Sequence, residues 1–196
     1  MDSSTEPYAA KMGGETGITP YKVKIERRLS DLKGYFQEDE IVEEILSKGE
    51  NPIIYEVYEI PQKPIEGQLN IASTIIKPGK IGKEYYFTKG HYHEKETASE
   101  IYIGIRGEGI ILMQNRKGEA KHIKLEPNKI IYIPPGYAHR TINIGSDPLI
   151  FLAVYPSDAG HNYGEIAEIG FSKIVVEKDG RPTIEDNPKY KSEAYQ

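Results

Sequence analysis

The sequence predicts a mostly β protein, folded as a sandwich or small barrel with a short helical segment near the N-terminus. Three features carry that expectation. From Pro52 onward, short runs rich in β-branched and aromatic residues follow one another closely. Turn chemistry separates them, at Pro78-Gly79, Gly107-Glu108-Gly109, Lys117-Gly118 and Glu126-Pro127-Asn128. Within the runs apolar residues alternate, as Ile101, Ile103 and Ile105 do, which is the period of a strand. Many short strands with regular turns pack as two sheets or close on themselves.

In chain order, residues 1–20 are polar, contain Gly13-Gly14 and read as an extended or mobile arm. A helix is expected over 39–48. Asp39 can cap it, Ile41, Val42, Ile45 and Leu46 form one apolar stripe, and Gly49 stops it. Strands are expected over 53–60, 69–77, 84–88, 100–106, 109–114, 120–125, 130–134, 139–144, 149–155 and 171–177. Asp179-Gly180 adds a final hairpin signal. No repeat or linker divides the chain, so residues 21–186 are expected to form one domain, with a tail over 187–196.

A chain of 196 residues is long enough to bury a real core. The net charge of −5, with basic residues scattered, argues against nucleic acid as a partner. An anionic metabolite can still be held by local donors. Cysteine is absent, so the fold needs no disulfide and a metal here has no thiolate ligand. Residues 1–7 lack the basic start and apolar core of a signal peptide, and the longest apolar run, 149–155, is far too short to cross a bilayer. A soluble cytoplasmic protein without membrane contact is expected.

Two segments hold what looks like a complete metal site. His91 and His93 are two residues apart, so on extended chain both imidazoles face the same way. Glu100 and Tyr102 share the face opposite the isoleucines of their run. His139 follows the Pro134-Pro135-Gly136 turn and leads another alternating run. Three imidazoles and one carboxylate suit a borderline divalent cation and leave coordination positions for substrate. Fe2+ is the expected ion, and Mn2+, Ni2+, Co2+ or Zn2+ accept the same donors. A lone His-x-His is often surface chance, and Glu100 alone could be a charge at a strand edge. The convergence of all four weighs against both readings. His122, between Lys121 and Ile123, reads as a solvated strand residue.

The run His91-x-His93-x6-Glu100-x6-Gly107 resembles the first cupin motif, and Pro134-x-Gly136-x2-His139-x3-Asn143 most of the second. Two departures stand out. The His93-to-Glu100 gap is longer than usual, and Asn128 stands where the second motif usually begins with Gly. With Phe87-Thr88-Lys89-Gly90 and the segment from Tyr155 to Gly164, the long gap is similar to one branch, the cupin-type glucose-6-phosphate isomerases. The likeness runs from about Arg28 to Ile174.

That resemblance implies a cupin double-stranded β-helix (jelly-roll) barrel, with metal ligation by His91, His93, Glu100 and His139. It implies that Thr74, Thr88, Gly90, Tyr155, His161 and Tyr163 surround a sugar phosphate. It also implies a homodimer and an aldose–ketose isomerisation between glucose 6-phosphate and fructose 6-phosphate, a step of glycolysis and gluconeogenesis.

The residues have a chemistry that fits. Gly90 lets a ligand approach its backbone N–H, and Thr and Tyr hydroxyls can donate to phosphate. Strand propensity and ordinary packing are the plainer readings of each Thr and Tyr. Glu100 is the obvious base for moving a proton between C1 and C2. A carboxylate held by a cation is a weakened base, however, so a metal-assisted hydride shift stays open. Glu100 would then be only a ligand, with Tyr102 donating to a substrate oxygen. Isomerisation of a related sugar phosphate such as mannose 6-phosphate, a cupin dioxygenase and a non-catalytic sugar-binding cupin are the competing functions.

Overall fold

The computed structural model describes residues 6–191. In chain order the strands are β1 (Lys11–Met12), β2 (Ile18–Thr19), β3 (Val23–Arg28), β4 (Ile53–Ile60), β5 (Leu69–Ile76), β6 (Lys80–Ile81) and β7 (Glu84–Tyr85). There follow β8 (Glu100–Arg106), β9 (Gly109–Gln114), β10 (Ala120–Leu125), β11 (Ile130–Ile133), β12 (Ala138–Asn143), β13 (Leu149–Pro156), β14 (Lys173–Lys178) and β15 (Arg181–Asp186). The helices are α1 (Asp39–Ser47) and α2 (Tyr163–Ile169).

A six-stranded sheet in the order β11-β8-β13-β5-β4-β3 faces a three-stranded sheet, β10-β9-β12, and a four-stranded sheet, β15-β14-β7-β6, closes one side. Between them lies the main core, built on Phe36, Phe87, Ile111, Leu125, Phe151 and Phe171. A second apolar cluster, including Tyr58, Ile75, Ile150 and Leu152, covers the outer face of the six-stranded sheet. There the N-terminal arm docks. β1 pairs with β2, Ile18 is buried, and the Ser73 hydroxyl donates to the Thr16 carbonyl. Residues 11–19 therefore form a short hairpin, extended only at its two strands, with Gly17 and Ile18 buried while Lys11 and Met12 stay exposed. Residues 1–5 and 192–196 of the expected arm and tail lie outside the described residues.

The expected helix and strands form, with one strand shortened and with Asp39 as the first residue of the helix, behind Glu38, rather than its cap. The run over 84–88 is regular only at Glu84–Tyr85, beyond which Phe87 bridges Ile142 alone. Besides the two-residue strands β1, β2 and β6, two elements were not anticipated from the sequence. β3 has a charged sequence, Val-Lys-Ile-Glu-Arg-Arg, and α2 is only seven residues long. Asn128 explains one motif departure. It has φ 66°, and its N–H donates to the Gly104 carbonyl at 2.9 Å. The turn needs the left-handed region, which Asn tolerates best after Gly.

Strand register places the inward side chains in rows. Tyr155 and Asn70 are partnered at one end. The next row links Tyr102, Ala153, Ala72 and Glu59, and the next Phe151, Thr74, Val57 and Ile25. Tyr55 and Arg27 close the series at the other end.

Burial pushes the Glu84 carboxyl up to about 7, with the Gln37 N–H donating to it at 2.9 Å and Arg140 opposing the rise. A raised carboxyl holds its proton in the folded state while the unfolded chain ionises. Stability from this group is thus full below about pH 4.5 and lost as pH rises to about 7, by at most about 3 kcal/mol. Glu84→Gln should flatten that loss and stabilise the protein at pH 8 by about 1–3 kcal/mol. Urea unfolding at pH 5 and pH 8 checks this, and an unaltered difference between the two pH values would refute it.

Candidate active site

The two sheets and the segment between β7 and β8 bring four donors together. Glu100 begins β8 on the six-stranded sheet, and His139 lies on β12 of the facing sheet. His91 is held to His139 by a narrow backbone pair, His91 N–H to His139 O at 3.3 Å and the reverse at 3.1 Å. The segment makes two isolated bridges, His91 to His139 and Tyr92 to Asn162, rather than a regular strand, yet both imidazoles face the same point. The ligand atoms of His91, His93, Glu100 and His139 all lie within 4.8 Å of one another.

Their hydrogen bonding fits a cation. His93 Nδ1 is 3.2 Å from the Ala98 carbonyl, and His139 Nδ1 is 3.4 Å from that of Tyr137. Donation from Nδ1 leaves each Nε2 with a lone pair aimed inward. The long His93-to-Glu100 gap thus has a local purpose, since it carries the Ala98 carbonyl back over the ring. Nε2 of His139 and of His93 come within 2.9 Å and 3.3 Å of Glu100 Oε2, but at angles that leave these atoms without a hydrogen bond. His91 Nε2 is likewise buried and unsatisfied. Four orphaned donor atoms converging on one point are costly unless something positive sits between them.

Electrostatics agree. Burial would raise the Glu100 carboxyl, but His139 and His93 outweigh it and hold it at about 2. Burial would lower His93, but Glu100 outweighs it and raises it, so this point attracts a positive charge, whether a proton or a cation. Burial, reinforced by the neighbouring imidazoles, pushes His91 well below its usual range, so it is a neutral ligand at physiological pH. Burial also raises Tyr102 and keeps it a hydroxyl donor.

The donors open onto a cavity of about 340 Å³ lined also by Tyr102, Thr74, Thr88, Gly90, Tyr155, His161 and Tyr163. Every site residue expected from the sequence therefore lies at one place, His93 just behind its wall. His161 stands outside the four-donor group, its ring 4.5 Å from His91 and stacked 5.9 Å from Tyr163. Backbone hydrogen bonds between Tyr92 and Asn162 tie that loop to the histidine segment. Thr88 Oγ1 accepts from the Thr141 N–H at 3.1 Å, which leaves its proton free to donate into the cavity. Gly90 has φ 76°, and a Cβ there would lie 2.7 Å from Phe171. His122 is exposed on β10, away from the site.

Tyr155 differs from expectation in one respect. Its hydroxyl donates to Glu59 Oε1 at 2.5 Å, so its proton is already committed. Glu59, Arg27 and Tyr55 also line the cavity and were missed.

A sequence-family profile described as glucose-6-phosphate isomerase matches residues 26–193. The glucose-6-phosphate isomerase of Pyrococcus abyssi is 54% identical over 187 residues, covering 95% of this chain and 98% of its own. That of Thermococcus kodakarensis is 54% identical over 185 residues, 94% of this chain and 97% of its own. A putative glucose-6-phosphate isomerase 1 of Rhizobium meliloti is 33% identical over 194 residues, 97% of this chain and 91% of its own. Long matches at such identity, on a barrel with this donor set, place the chain in the cupin-type glucose-6-phosphate isomerase family.

Proposed function

We propose that the protein is a metal-dependent isomerase interconverting D-glucose 6-phosphate and D-fructose 6-phosphate, the step common to glycolysis and gluconeogenesis. Convergence of His91, His93, Glu100 and His139 on the floor of a hydroxyl-lined cavity is the observation that carries this reading. A coupled assay of glucose 6-phosphate to fructose 6-phosphate, with and without chelator, tests it. No conversion by metal-loaded protein would end it.

His91, His93, Glu100 and His139 would hold a divalent ion, here proposed to be Fe2+, which would supply Lewis acidity to the reacting sugar. The protein's own groups do the rest. Glu100, ionised at neutral pH, is the base that moves a proton between C1 and C2. Tyr102, two residues along the same strand face, donates to a substrate oxygen as charge develops there. His161 and Tyr163 orient the sugar from the loop opposite.

Thr74, Thr88 and the Gly90 N–H are assigned to phosphate, and remote phosphate binding holds C1 and C2 in place. Thr88→Ala should raise KM about fivefold or more with a smaller change in kcat, since the contact is equal in ground and transition states. Unchanged kinetics would remove Thr88 from the site.

Residues 21–186 are inferred to act as one domain, with the arm and tail as appendages. A homodimer is favoured by the outer face of β8 and β11, where Ile130 is 68%, Tyr132 58% and Ile101 39% exposed. Among the described residues no helix is long and apolar enough to cross a membrane, and a cytoplasmic location beside the substrates of glycolysis is part of the same proposal.

A further inference from the structure

β3 forms one edge of the six-stranded sheet, and alternation divides its charges. Outward, Lys24 Nζ lies 2.8 Å from Glu56 and Arg28 Nη2 2.6 Å from Glu26. Arg27 faces inward. It is half-buried, lines the cavity, and is the only arginine or lysine among the described residues to do so. No carboxylate lies within ion-pair distance of it among the described residues, whereas its neighbours on β3 are all paired. Its strand partner is Tyr55, which lines the same cavity with Thr88 and Gly90.

Glu59 occupies the other end. It is four residues beyond Tyr55 on β4, about 13 Å along the strand. Its row contains Tyr102, adjoining the row of Tyr155, at the end where Glu100 lies. With Oε1 occupied by the Tyr155 hydroxyl, this corner presents further carboxylate and phenol lone pairs, which accept hydrogen bonds and repel anions. The two rows are separated by the span that an extended hexose phosphate with its contacts would fill.

We infer that Arg27 and Glu59 polarise the cavity and dictate which end of the substrate goes where. Arg27 selects the phosphate dianion. The Glu59–Tyr155 pair reserves the end beside Glu100 for neutral sugar hydroxyls. The inference rests on the phosphate assignment above and adds its charge logic. A charge-assisted contact in a half-buried site is the strong kind, and hydroxyls alone would not tell phosphate from a neutral group of similar size. The same polarity would turn away ligands that are anionic at both ends.

The test uses full-length, metal-loaded protein. Arg27→Gln should raise KM for glucose 6-phosphate about tenfold or more and weaken competitive inhibition by inorganic phosphate in parallel, the loss falling on KM rather than kcat. Arg27→Lys should recover most of both. Glu59→Gln keeps an acceptor for Tyr155 but removes the charge. It should tighten inhibition by a hexose 1,6-bisphosphate about fivefold or more relative to the KM for glucose 6-phosphate. Equal damage from Gln and Lys at position 27 would make the arginine structural and overturn the assignment. So would an unchanged phosphate inhibition constant in Arg27→Gln, or an unchanged bisphosphate ratio in Glu59→Gln. Wild-type protein that does not isomerise glucose 6-phosphate would instead defeat the functional reading itself, which separates the two failures.

Discussion

Thorough chelation should abolish isomerase turnover, and a divalent ion should restore it. His139→Ala should lower kcat/KM by about a thousandfold or more, because it removes both a ligand and the reason the ion stays put. His139 is 2% exposed, so the deletion also opens a void in a site that cannot collapse. Three donors would remain, and the ion would bind more weakly. Metal analysis after dialysis should show substoichiometric content in the variant. An ion that binds only the folded state adds stability, so chelation should also lower the melting temperature of wild type far more than that of His139→Ala. Full activity in a preparation shown to be metal-free would defeat the metal reading.

The parts of this site that were legible in the sequence share a physical cause. His91, His93, Glu100 and His139 stand in motif context, where ligand geometry forces spacing, and spacing is visible in a linear chain. Glu100 and Tyr102 were readable as inward because Ile101, Ile103 and Ile105 alternate against them, an apolar set that the structure turns towards the outer face. Arg27, Tyr55 and Glu59 were hidden for the converse reason. Their strands carry apolar and charged residues on both faces, Glu56 and Tyr58 outward and Val57 and Glu59 inward on β4, so hydrophobic periodicity does not say which side is in. β3 went unseen because its inward face offers only Ile25 between Val23 and Arg27, and its outward face is wholly charged. α2 went unseen because seven residues cannot establish a helical period, although Asn162 does cap it by accepting from the Glu165 N–H at 3.4 Å. Tyr155 was read correctly as facing the cavity, but its partner comes from 96 residues away, which no local pattern encodes.

Hydrogen transfer is where the largest catalytic effect is expected. Glu100→Gln should cut kcat by about a thousandfold or more if the side chain is the base, since an amide cannot accept the proton. The carboxylate meets opposing demands. His139 and His93 hold it ionised, which keeps it ready, but the same contacts lower its basicity. To act as a base it would have to be free of a bound cation's full pull as C1 and C2 take up charge. Tyr102, kept protonated by burial, can donate to the developing oxyanion. Because Glu100 is also a ligand, loss of activity alone does not separate the two roles. Isotope transfer does. A proton resting on a carboxylate can exchange with solvent before returning to carbon, whereas a migrating hydride cannot. In deuterated water, NMR of the product should show deuterium at C1 or C2 above the non-enzymatic background, even if the buried pocket allows exchange in only a fraction of turnovers. Glu100→Gln, reloaded with metal to wild-type content, should show neither label nor substantial turnover. Absence of label in wild type, together with substantial turnover in metal-loaded Glu100→Gln, would reduce Glu100 to a ligand and leave the hydride shift as the better account.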